Sequence, residues 1–149
     1  MDHVPPSVAA AYGWIVLNGL RGSGKSTLAR RFAERRGVQA VDLDARVRRR
    51  FGGRTIAEIW RTDGEPAFRA AEAEAVSEVL AEPPGVLALG GGTAMVPEAA
   101  GRLARAVGQE GACVIYLRTS PERLAARLAA DRVSGAAAAA DRPPLQRSS

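Results

Sequence analysis

Short apolar runs alternate along this chain with longer stretches in which apolar residues recur every three or four positions. Residues 14–17 (Trp14, Ile15, Val16, Leu17), bounded by Gly13 and Gly19, read as a buried strand. From Lys25 to Arg36, the positions Leu28, Ala29, Phe32 and Ala33 form one helical stripe that Gly37 stops. A second strand is predicted over 38–43, then a short basic helix over 46–51 ended by Gly52 and Gly53. Thr55 followed by Glu58 is a capping-box signal for a helix through about Trp60. Pro66 suits the first turn of a longer helix, with Phe68, Ala71, Val76 and Val79 on its inward side and Pro83-Pro84 after it. Residues 86–89 read as a third strand, 97–107 as a helix and 113–117 as a fourth strand. Ser120 caps and Pro121 opens a last helix carrying Leu124 and Leu128.

Strands apolar on both faces, alternating with helices, predict an α/β fold with a parallel sheet between two helical layers. No internal repeat is visible. The 149 residues, 46% hydrophobic and 25% charged, fit one compact domain, 1–149. A chain this long can bury roughly two-thirds of its unfolded surface and needs no covalent staples. Residues 1–12 read as a frayed tail, and about 131–149, with the alanine run 136–140, as loop-like. One cysteine, Cys113, placed mid-strand and expected to be buried and inert, excludes an internal disulfide. One histidine, His3, leaves Ser-His-Asp, Cys-His and histidine–zinc chemistry without parts. No apolar stretch approaches the ~18 residues of a membrane span. No signal peptide opens the chain. A cytoplasmic location without a membrane partner is therefore expected.

The formal charge is +5, and of the 21 basic residues only Lys25 is lysine. With about 30 alanines and an arginine excess, compositional bias accounts for most of that charge. The remainder fits anionic small molecules. Arg46, Arg48, Arg49 and Arg50 form a basic run without interleaved aromatics, a solvated helix face rather than a nucleic-acid platform.

The lone lysine stands in Gly19-Leu20-Arg21-Gly22-Ser23-Gly24-Lys25-Ser26. This is G-x-x-x-x-G-K-S between a predicted strand and helix, the context in which its glycines let backbone N–H groups curl around phosphates. The helix N-terminus adds positive potential, Lys25 is placed to reach the β- and γ-phosphates, and Ser26 to ligate Mg²⁺. Phosphoryl transfer also needs a carboxylate near the metal and a group that orients the nucleophile. Only the second strand ends in acids, Asp42 and Asp44, which strand alternation would put on one face. The blander reading, a solvated strand end with Asp44 as a helix N-cap, is compatible with a site. Arg69 offers the fork that matches a carboxylate, although taken alone, among so many arginines, a surface role is the more natural reading. Gly90, Gly91 and Gly92 follow the third strand at its carboxyl end, where ligands bind in such sheets. Trp60 reads as core.

Together these residues make the chain resemble shikimate kinase, a small P-loop kinase family. The resemblance rests on the Gly19–Ser26 loop with Thr27, on Asp42-Leu43-Asp44, on the 55–60 segment, and on Gly64-Glu65 with Phe68-Arg69 and Glu72. It continues through Gly90-Gly91-Gly92, the 114–117 strand and Arg142-Pro143-Pro144-Leu145, and so spans about 14–145. It implies a three-layer P-loop kinase fold with strand order 2-3-1-4, ATP and Mg²⁺ as phosphoryl donor and metal, and shikimate as acceptor. Gly22, Ser23, Gly24, Lys25, Ser26 and Thr27 would hold nucleotide, with Arg132 as an adenine-side arginine. Ser26 and Asp42 would hold the metal, directly and through water. Asp44 would hold the acceptor hydroxyl, Arg69 one arm of a carboxylate clamp, and Gly91 and Gly92 backbone contacts to the ring. Arg142 would be the lid arginine. Lys25, Asp44 and Arg142 would thus be the catalytic set.

The chain departs from the family's pattern in three ways. Trp60 stands where phenylalanine is usual. The alanine run lengthens the lid. The family continues past the R-P-L segment with a second clamp arginine, a fifth strand and a last helix, and these are expected to be missing from residues 1–149. A chain of this extent is expected to leave the fourth strand as an open edge, to bind nucleotide weakly, to turn over slowly, and to self-associate where the family is monomeric. Two alternatives stay open: another P-loop kinase of the gluconate-kinase type, and a non-catalytic nucleotide-binding relative.

Overall fold

The computed structural model describes residues 13–133. The predicted tail, Arg142 and the alanine run lie outside the described residues. Chain order is β1 (Ile15–Gly19), α1 (Lys25–Arg36), β2 (Ala40–Asp42), α2 (Leu43–Arg50), α3 (Ile56–Thr62), α4 (Glu65–Ala81), β3 (Val86–Ala88), a 3-10 turn (Thr93–Met95), α5 (Pro97–Gln109), β4 (Cys113–Leu117) and α6 (Pro121–Val133).

The four strands form one parallel sheet in the order β2-β3-β1-β4, as expected. Wholly apolar strands need cover on both faces. One face packs Leu17, Val86 and Ala88 against Ala29 and Ala33 of α1. The other packs Val16, Val41 and Leu87 against α2, α3, α4 and α5 through Val47, Ile59, Val76 and Leu103. Sheet and flanking helices give the three layers. Phe68, Ala71, Val76 and Val79 are all buried, as the helical stripe predicted. The capping box is formed: the Glu58 amide donates to Thr55 Oγ1 at 3.1 Å, and the Thr55 amide donates to Glu58 Oε2 at 2.8 Å.

Three expectations are corrected. The second strand stops at Asp42, and Leu43 opens α2 instead of closing β2. Asp42, not Asp44, is the N-cap: its backbone is extended and its carboxylate accepts from the Ala45 amide at 3.3 Å. Strand alternation therefore does not relate the two acids; the start of a helix does. Cys113 is exposed at the first position of β4 rather than buried. That strand pairs with β1 alone among the described residues and leaves Val114, Ile115 and Tyr116 exposed. No described helix is long and apolar enough to cross a membrane.

Two ion-pair sets fix α2 to α4. Arg46 Nη1 lies 2.6 Å from Glu82 Oε1, just past the end of α4, and Arg50 reaches Glu74 and Glu78. The Arg46 hydrogen bond holds the Glu82 carboxyl below its ordinary value, against the opposing effect of burial, and raises Arg46 in turn. Since α2 begins with Asp44 at its second position, these pairs also orient that acid.

Candidate active site

The carboxyl ends of β1, β2 and β3 converge, and the candidate residues among the described ones, Arg132 apart, sit there or on α1, α2 and α4. The 19–26 loop joins β1 to α1. Gly24 is the N-cap of α1 with φ 91°, a left-handed conformation in which a side chain is strained, and no side chain caps the helix. The first-turn amides of α1 are thus left to a ligand, and they bring the helix's positive end with them. Lys25 is buried, and its ammonium donates to the carbonyls of Gly19 and Leu20 across the loop. Ser23 is buried too, and its hydroxyl has no hydrogen-bond partner among the described residues. A buried orphan hydroxyl beside uncapped amides suits an oxyanion.

Ser26 Oγ donates to Asp42 Oδ2 at 3.0 Å. Both side chains are exposed, and both supply hard oxygen ligands. Among the described residues no group of three or more acidic, histidine or cysteine side chains could hold a metal unaided. The Ser26–Asp42 oxygen pair fits Mg²⁺, which usually keeps several waters and binds one or two protein oxygens together with substrate phosphates.

A cavity of about 950 Å³ runs from the loop across to Asp44 and Gly91, and Thr27 and Arg127 also line it. Arg127, on α6, donates from Nη1 to the Gly22 carbonyl at 3.2 Å. Arg132 does not line this cavity; it is exposed five residues further on, roughly 140° around the helix. Arg127, to which the sequence reasoning gave no role, is thus the arginine of α6 that reaches the phosphate loop.

The glycine run separates this cavity from a second one of about 990 Å³, lined by Arg69, Gly92, Glu65, Met95 and neighbours on α4 and α5. Close approach explains two of the three glycines. A Cβ on Gly90 would stand 2.5 Å from Asp44 Oδ1 and 3.0 Å from Glu72 Oε1, and a Cβ on Gly92 would stand 2.9 Å from both Arg69 Nη atoms. Gly91 has ordinary room and is exposed toward the phosphate-loop cavity. Asp44 and Arg69 thus approach one glycine run from its two ends.

Arg69 is held through two of its three nitrogens. Nη1 donates to Glu72 Oε2 at 2.6 Å, and Nε lies 3.4 Å from Glu65 Oε1. The guanidinium carbon stands 5.4 Å from the Trp60 ring centroid and 5.8 Å from that of Phe68. Trp60 is half-buried, edge-on to Phe68 at 6.3 Å and 61°, so it serves core and site together. Sequence reasoning gave no role to Glu72, which is 1% exposed, or to its partner Thr93, which is fully buried. A glutamate among the inward positions of α4 was the available signal.

A parallel sheet that delivers a phosphate loop to a helix N-terminus, with an acid and an arginine across a glycine run, defines a P-loop fold of the small-molecule-kinase type. The chain belongs to the shikimate kinase family, whose model matches residues 21–149. It is 44% identical over 116 residues to the shikimate kinase of Thermobifida fusca (strain YX), covering 78% of this chain and 63% of that protein. It is 46% identical over 105 residues to that of Mycobacterium tuberculosis (strain ATCC 25177 / H37Ra), covering 70% and 56%. The chain thus spans a little over half the length of these curated relatives. Shikimate kinase from Acinetobacter baumannii, solved in complex with shikimate, superposes with a TM-score of 0.78 at 30% identity, covering 96% of this chain and 72% of that one. The Bacteroides thetaiotaomicron shikimate kinase gives 0.69 at 30%, covering 78% and 63%.

Proposed function

We propose that this chain carries the nucleotide and acceptor sites of an ATP-dependent shikimate kinase, which converts ATP and shikimate to ADP and shikimate 3-phosphate in the cytoplasm. The observation that carries the reading is the placement of Arg69, a guanidinium fixed beside a glycine run whose other end abuts Asp44 and the phosphate loop. One carboxylate-binding group and one hydroxyl-orienting group, set apart across a small floor, suit a ring bearing both functions.

The geometry supports the following roles. The 22–27 loop amides and the Ser23 hydroxyl bind phosphate oxygens, Lys25 turns from its carbonyl partners to the β- and γ-phosphates, and Arg127 lies against the nucleotide. Ser26 and Asp42 would hold Mg²⁺, which when bound neutralises charge on the phosphates. Asp44 accepts the proton of the acceptor hydroxyl as that oxygen bonds to the γ-phosphorus and the bond to ADP breaks. Arg69 takes the shikimate carboxylate through charge-assisted hydrogen bonds, while Gly91 and Gly92 bring backbone to the ring. Arg142, outside the described residues, would close over the phosphates.

A coupled assay of ADP release tests this. ADP should form with shikimate and MgATP together and fall to background when shikimate is omitted or replaced by gluconate. Release with gluconate would favour another P-loop kinase, and nucleotide binding without release would favour a non-catalytic relative.

A further inference from the structure

Arg69 is the group on which acceptor recognition turns, and its freedom to bind depends on how many of its N–H groups the protein itself consumes. Glu72 Oε2 takes one of them, from Nη1. Its other oxygen, Oε1, does not bond Arg69; it accepts from Thr93 Oγ1 at 2.8 Å. Thr93 is fully buried, opens the 3-10 turn directly after the glycine run, and donates its own amide to the Gly90 carbonyl at 3.3 Å. Nη2 has no hydrogen-bond partner among the described residues and lies against Gly92.

We propose that Thr93 is a positioning residue for the acceptor carboxylate: by occupying one oxygen of Glu72, it keeps the Glu72–Arg69 pair end-on and reserves the outer edge of the guanidinium for the ligand. The physical reason is competition. A buried carboxylate oxygen deprived of its donor must find another. The nearest strong donor is Arg69, and carboxylate and guanidinium readily pair through two parallel bonds. That pairing would draw Arg69 inward and use the N–H groups a substrate carboxylate needs. Because Thr93 is tied to Gly90, it also sets the height of the clamp relative to the ring's glycine floor. The proposal rests on reading the Arg69 cavity as the shikimate site.

Thr93→Val keeps the shape and removes the donor; Thr93→Ser keeps the donor. Shikimate titrated calorimetrically into each, with MgADP titrated separately, should show the parent and Thr93→Ser alike and Thr93→Val about tenfold weaker for shikimate. MgADP affinity should be unchanged in all three. If Thr93→Val does not fold, Thr93→Ala takes its place. Ligand-free ¹⁵N spectra give a readout independent of substrate: the Arg69 Nε–H resonance should move in Thr93→Val and stay in Thr93→Ser. Parent-like shikimate binding by Thr93→Val, or a parallel loss of MgADP affinity, overturns the proposal. If the parent binds no shikimate, the acceptor reading fails, and the Arg69 resonance decides: moved, the positioning role stands; unmoved, it falls.

Discussion

At the scale of single residues, the proposed function gives Asp42 and Asp44 distinct work although they stand two positions apart. Asp42 is exposed, caps α2 and accepts from Ser26 Oγ, the pair that would hold the metal in the proposed site. Asp44 is half-buried, and its Oδ1 crowds Gly90 on the acceptor side. Asp42→Asn should therefore raise the Mg²⁺ concentration needed for half-maximal rate. Asp44→Asn should lower kcat with shikimate by about 10²- to 10⁴-fold, the usual span of a general-base contribution. Rates measured over a Mg²⁺ series check this, and one shared defect would contradict the division. Both acids were legible in the sequence, but their relation was not. Val41 and Leu43 alternate with them as strand residues do, and the cap at Asp42 lacks the reciprocal glutamate that made Thr55 and Glu58 easy to read. The contact between Glu72 and Thr93 stayed hidden for another reason: the two meet through space, 21 residues apart.

At the scale of elements, the site depends on α2 staying docked on α4. The Arg46–Glu82 pair joins them, and Arg46 holds the Glu82 carboxyl below its usual 4.5. With the folded value depressed, the unfolded chain binds the proton more readily. The pair's contribution is therefore complete above about pH 4.5 and fades as pH falls through the folded value. Glu82→Gln should melt below the parent at pH 7, and the gap should narrow under pH 4.5; thermal melts from pH 7 to 3 measure it. A gap constant across that range would mean the pair adds nothing titratable. The elements themselves were mostly readable, because helical stripes, proline starts and glycine stops agreed with one another. On α6 the abundance of arginine hid one contact: nothing in the sequence sets Arg127 apart, and only the turn of the helix brings it to the Gly22 carbonyl of the phosphate loop.

At the scale of the whole molecule, the sheet order and its layers follow from apolar strands alternating with helices, and the phosphate loop lies where such a sheet binds ligands. Among the described residues β4 is an edge strand and exposes Val114, Ile115 and Tyr116, with Tyr116 55% accessible. Unpaired backbone beside apolar side chains is a template for pairing with another chain. The 149-residue polypeptide should accordingly associate in light scattering as its concentration rises. Ile115→Lys, which places a charge on that strand, should shift it toward monomer. A parent that stays monomeric throughout would show that this edge is not adhesive.

The central claim is that Arg69 anchors a carboxylate so that a hydroxyl of the same small ring meets Asp44 beside the phosphate loop. Calorimetric titration of shikimate against its amide, into the parent and Arg69→Ala, tests it most directly. The parent should prefer the acid, and Arg69→Ala should lose roughly 1.5–3 kcal/mol of binding to the acid, the span for hydrogen bonds to charged groups, with little change toward the amide. Equal binding of acid and amide by the parent would contradict the account.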